Sequence, residues 1–103
     1  MASVDPEVQY SVDQIMEQPE KFQDSQIFVR GVVSSGSVDN EGMSFILEGV
    51  TGEITVDFAD SPIPDGFDEG RTIAVRGDLV KQNGLWVIDT FEIQTGCPSK
   101  YES

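Results

Sequence analysis

Two side chains near the C-terminus carry more chemistry than packing requires: Cys97, the sole cysteine, and Tyr101, one of two tyrosines. They stand four residues apart in Cys97-Pro98-Ser99-Lys100-Tyr101, a polar stretch after the last apolar run. A free cysteine is most often a small buried hydrophobe. Here Thr95-Gly96 before it and Pro98-Ser99-Lys100 after it offer no apolar face, so an accessible, reactive thiol is expected. Tyr101 has two open readings: an aromatic anchor lying on the folded domain, or a phenol available for chemistry.

The rest of the composition narrows what that chemistry can be. There is no histidine, which removes Ser/His/Asp triads, His-ligated zinc and His-ligated haem within this chain. A single cysteine excludes an internal disulfide and any paired-Cys motif for zinc or for ordinary c-type haem attachment. Nineteen Asp and Glu against six Lys and Arg give a net charge of -13. The resulting field repels polyanions, and no Lys/Arg run supplies the phosphate contacts on which nucleic-acid affinity depends. No apolar run reaches the length of a membrane span, and no signal-peptide or lipidation pattern is visible.

At 103 residues the chain is one small domain. Its 38% apolar content and ten glycines suit a folded globule. Residues 1–10 are polar and acidic and read as a flexible arm. Ser11 with Gln14 three residues on forms a capping box, and Val12, Ile15 and Met16 share one face of a short helix that Pro19 ends. That helix is expected to close one end of the domain.

From Ile27 the period becomes that of strands. Ile27-Phe28-Val29-Arg30-Gly31-Val32-Val33 is too apolar to alternate, as expected of a strand buried on much of both faces. After a polar loop, Met43, Phe45 and Leu47 point one way. Ile54, Val56 and Phe58 alternate with Glu53, Thr55 and Asp57, and Gly49 to Gly52 turns the chain between these two strands. Pro62, Pro64, Gly66 and Gly70 forbid a long helix but permit a short turn around Asp65 to Glu69. A fourth strand runs from Thr72 to about Val80. Gln82-Asn83-Gly84 predicts a type I′ hairpin turn into a fifth, Leu85 to about Gln94. In that strand Val87, Phe91 and Ile93 share a phase, and Asp89 falling in it predicts a bulge or an exposed end there. Five short strands with a break between the third and fourth predict an all-β, five-stranded Greek-key barrel of the OB-fold type over residues 11–94, with a flexible tail over 95–103.

Three segments carry a resemblance. Val29-Arg30-Gly31-Val32-Val33-Ser34-Ser35-Gly36-Ser37-Val38, then Pro64-Asp65-Gly66-Phe67-Asp68-Glu69-Gly70 with Val75-Arg76-Gly77, then Cys97-Pro98-Ser99-Lys100-Tyr101 resemble, in this order and spacing, the soluble domain of the cytochrome c maturation protein E (CcmE) haem chaperones. The commoner form of that family has His where this chain has Cys97 and a basic residue where it has Gly96. Gly66 and Asp68 also depart from residues more often apolar and basic. The Cys form resembles the variant of archaea and some anaerobic bacteria.

The resemblance implies a carrier rather than an enzyme. Its cofactor would be b-type haem, covalently attached through Cys97, with Tyr101 as the ligand to the iron. Its partners would be apocytochrome c and membrane haem-delivery and ligation components, with no nucleic acid. The implied setting is a monomeric soluble domain on the extracytoplasmic face of the membrane, in the periplasm or its equivalent, held by an N-terminal anchor that this sequence lacks. Residues four apart have Cβ atoms about 5–6 Å apart in a helical turn but roughly 13 Å apart in an extended chain. One porphyrin therefore meets Cys97 and Tyr101 together only if the segment turns. Pro98 is well placed to start such a turn, so the tail is expected to be mobile without haem and to form the turn with it. Trp86 and Phe91 are candidates for an apolar rest near the tail, and Lys100 for a propionate partner. The alternative is an OB-fold module for nucleic acid or protein, without cofactor.

Overall fold

The structure, a computed structural model, describes residues 8–95. Six strands and two short helices follow in the order β1 (Gln9–Ser11), α1 (Val12–Glu17), α2 (Pro19–Phe22), β2 (Gln26–Val33), β3 (Ser44–Glu48), β4 (Glu53–Asp57), β5 (Thr72–Gln82) and β6 (Leu85–Gln94). The five strands expected from the apolar alternation are all present. They pair in the order β2-β3-β4-β6-β5, and β5 returns to β2, so the sheet closes on itself. β4 and β6 run parallel and the other barrel pairs antiparallel. This is an OB-fold barrel.

Closure follows from the sequence pattern. Ile27 and Val29 on β2, Phe45 and Leu47 on β3, Ile54 and Val56 on β4, and Ile73, Val75 and Leu79 on β5 all point into one core. On β2, Phe28 is buried as well, on the other side of the strand, where Arg76 lies over its ring. A strand covered on both faces is what its unbroken apolar run predicts. Asn83 and Gly84 both have positive φ, as a type I′ turn requires.

Two features are not visible in the alternation. β1 runs parallel to β2, pairing Gln9 with Phe28 and Ser11 with Arg30. It lies where the sequence shows no apolar alternation, and Tyr10 is fixed edge-on against Phe22, with ring centroids 5.1 Å apart. The second feature is the place of the bulge. Asp89 pairs in register with Asp78 and Asp57, and the register shift comes at Arg76/Gly77 of β5, leaving Phe91 as the extra residue of β6.

The shared phase of Val87, Phe91 and Ile93 is therefore corrected. Ile88 and Thr90 point inward, the bulge flips the phase, and Ile93 points inward after it. Gly77 makes the bulge possible, since a Cβ there would lie 2.3 Å from the Asp89 carbonyl oxygen. The buried Thr90 hydroxyl donates at 2.7 Å to the Arg76 carbonyl, one of the backbone groups at the bulge.

Candidate functional site

The β3–β4 hairpin has two ends, and they are built differently. At the turn end, α1 plugs the barrel with Val12 and Ile15, both fully buried, while Met16 is partly buried against them. Ser11 and Gln14 form the expected capping box: the Ser11 hydroxyl accepts from the Gln14 N–H at 3.1 Å, and the Gln14 side chain accepts from the Ser11 N–H at 2.8 Å. The cap aims Asp13 at the turn. Its carboxylate accepts from the backbone N–H groups of Val50 at 2.8 Å, Thr51 at 3.1 Å and Gly52 at 2.7 Å, and from the Thr51 hydroxyl at 3.2 Å. These bonds, led by that from Val50, hold the Asp13 carboxyl below its ordinary value.

At the other end the barrel is open. The loop before β3 is folded on itself: the Ser37 hydroxyl donates to Ser34 and accepts from the Ile46 N–H, and the Asp39 carboxylate accepts from the N–H groups of Glu41 and Gly42. Facing it is the loop after β4, where two prolines bracket Ile63 and leave it 46% exposed. Between them lies a cleft of about 280 Å³ lined by Val38, Asn40, Phe58, Ile63, Phe67, Asp68 and Glu69. Phe45 in the core supports Phe58 and Phe67, with ring centroids 5.8 and 5.2 Å away. Sequence reasoning missed this cleft, although the Pro62-Ile63-Pro64 triplet was its signal: no helix can form there to bury the isoleucine.

The path to the C-terminal tail passes beside that cleft. Pro64 to Phe67 make a tight turn, closed by the Phe67 N–H donating to the Pro64 carbonyl at 3.3 Å, with Gly66 at φ +89. The Thr95 hydroxyl donates to the Asp65 carbonyl in this turn at 2.6 Å. The last described residue is thus tied to the segment that sets Phe67 into the cleft. A Cβ on Gly66 would come to 3.2 Å from the same hydroxyl. Cys97, Lys100 and Tyr101 lie outside the described residues.

The two aromatic candidates separate. Phe91, the bulge residue, is 45% exposed and lies four residues before Thr95, about 13 Å along a strand. Trp86 is nine residues from Thr95, about 30 Å at strand spacing. Its ring is partly buried against the core, with Lys81 Nζ 5.2 Å from its centroid. Trp86 is not near the root of the tail, because β6 is long and the ring sits at its far end. Beside Phe91 in the ladder, Arg76 pairs with Glu92 at 3.4 Å and lies 4.5 Å from the Phe28 ring centroid.

Acidic charge is concentrated on one row of the barrel wall. Asp89 stands in register between Asp57 and Asp78. Burial pushes its carboxyl above the ordinary value, and the charges of Asp60, Asp57 and Asp78 push the same way. Among the described residues no group of three or more His, Cys, Asp or Glu is placed to hold a metal ion. None of the described helices is long and apolar enough to cross a membrane.

Comparison with known proteins agrees with this architecture. Solved structures that share the fold include the hypothetical protein ygiW from E. coli, with TM-score 0.61 and 15% identity over 93% of this chain and 98% of that one; the telomere capping protein Ten1 from Saccharomyces pombe, with TM-score 0.61 and 14% identity over 84% and 78%; and the S. pombe Stn1-ten1 complex, with TM-score 0.63 and 18% identity over 92% and 78%. At such identities they speak to fold alone. Among curated proteins the chain has no match in sequence. The family model of the CcmE domain, however, matches residues 7–103, nearly the whole chain. On that match, and with an OB-fold barrel whose last strand leads into the Cys97 to Tyr101 segment, the chain belongs to the CcmE family, the haem chaperones of cytochrome c maturation.

Proposed function

We propose that this chain carries haem covalently on Cys97, with Tyr101 as iron ligand, and passes it to apocytochrome c on the extracytoplasmic side of the membrane. The observation that carries this reading is the family match, which runs to residue 103 and so includes the tail. Haem is cargo, and the chain turns over no substrate. The thiol adds across a vinyl C=C of the porphyrin: the S–H bond and the vinyl π bond break, and a C–S and a C–H bond form. No external oxidant or reductant is consumed. Release is the reverse elimination, which returns the thiol and the vinyl group.

The barrel's part is to hold the tail's root and offer a surface. Thr95 bound to Asp65 fixes where the tail begins. Phe91 supplies an exposed aromatic face close to that root. The net charge of -13 gives haem propionates no long-range attraction, so a covalent bond compensates for weak reversible affinity.

The test is to load the chain with haem, denature it and follow the colour. The unmodified chain is expected to keep it and Cys97→Ala to lose it. Tyr101→Phe is expected to keep the colour but show a changed iron spectrum while folded. Uptake equal in all three chains, with colour lost from each on denaturation, would remove both residues from the reading.

A further inference from the structure

The cleft at the open end of the barrel has a chemistry that haem does not explain. Val38, Phe58, Ile63 and Phe67 line its apolar part, while Asn40, Asp68 and Glu69 are polar lining residues exposed to solvent. No Lys or Arg lines it. At about 280 Å³ it lies just under the size of typical small-molecule pockets, roughly 300–1,000 Å³. That suits one inserted side chain better than an enclosed cofactor. The two acidic side chains would repel an anionic ligand, and the surrounding negative field steers cations toward the surface.

We infer that this cleft docks a cationic segment of a partner protein, one apolar or aromatic side chain of the segment filling the space over Phe67 while flanking Lys or Arg pair with Asp68 and Glu69. Charge complementarity selects the partner, and the apolar lining gives the contact its register. The Pro64–Phe67 turn serves both the cleft and Thr95. A segment docked here lies beside the root of the tail, where cargo carried on that tail can be handed over. Docking itself needs no haem, so it stands or falls apart from the proposed carrier role.

The test is an NMR titration of the haem-free chain with a pentapeptide bearing one phenylalanine between two pairs of lysines. Shifts are expected to centre on Val38, Ile63, Phe67, Asp68 and Glu69. Replacing the peptide's phenylalanine by alanine should weaken binding about tenfold, the scale of one buried aromatic side chain. The double variant Asp68→Asn, Glu69→Gln should weaken it about fivefold, the scale of two exposed ion pairs. Glu17→Gln with Glu20→Gln, which removes the same charge from α1 and α2, should change it less than about twofold. Shifts spread over the whole surface, equal losses in the two double variants, indifference to the phenylalanine, or no binding at all would each overturn the inference.

Discussion

The two ends of the β3–β4 hairpin are about five residues apart along each strand, yet they differ in almost every physical respect. At the turn end polar groups are consumed: one carboxylate, Asp13, takes three backbone N–H groups and a hydroxyl, and α1 fills the barrel mouth with Val12 and Ile15. At the loop end, Asp68 and Glu69 reach solvent, Ile63 is half-exposed, and a cleft remains between the loops. One end is spent on stability and the other is left available for contact. Function should therefore be sensitive at the open end and stability at the plugged one.

The sharpest way to break this contrast is to substitute deeply buried and exposed isoleucines from the two ends. Ile15→Ala at the plug removes a fully buried side chain and should lower the unfolding free energy by about 3 kcal/mol, measured in urea. Asp13→Asn should come next, lowering the melting temperature at neutral pH. Its sign with pH is definite. A carboxyl held below 3.8 in the folded state contributes stability above 3.8 and loses it as pH falls through the lowered value. The gap between the unmodified chain and Asp13→Asn should thus close on acidification, and a gap that widened would contradict the latch. The smallest effect belongs to Ile63→Ser at the open end, which should change stability by less than about 0.5 kcal/mol. An effect as large as that of Ile15→Ala would mean that the cleft is structural.

Much of the barrel was legible because apolar alternation and turn chemistry are local. Ile54, Val56 and Phe58 announced their strand, Asn83-Gly84 their hairpin, and Ser11 with Gln14 their helix. What was not legible depends on segments distant in sequence. Gln9-Tyr10-Ser11 has no apolar rhythm and becomes a strand only because β2 offers it an edge. The bulge falls at Phe91 rather than Asp89 because Gly77, across the sheet, is where β6 can approach closely. Asp89 instead keeps its register and accepts like charge on both sides.

The candidate site divides the same way. Cys97 stood out by residue type, Tyr101 became a candidate through the family resemblance, and both lie outside the described residues. Phe91 stood out too, and it is exposed near the tail's root. Trp86 did not keep its place, because it sits near the start of the long, extended β6, far from Thr95. The cleft needed three separate segments, around Val38, at Phe58 and from Ile63 to Glu69, to be brought together before it existed at all.

The central claim is that the barrel serves as the support for a haem-bearing thiol. Its most direct test is the intact mass of the haem-loaded chain after denaturation and removal of free haem, beside that of Cys97→Ala. The account predicts one haem added to the unmodified chain and none to the variant. An unmodified chain at its bare polypeptide mass would contradict it.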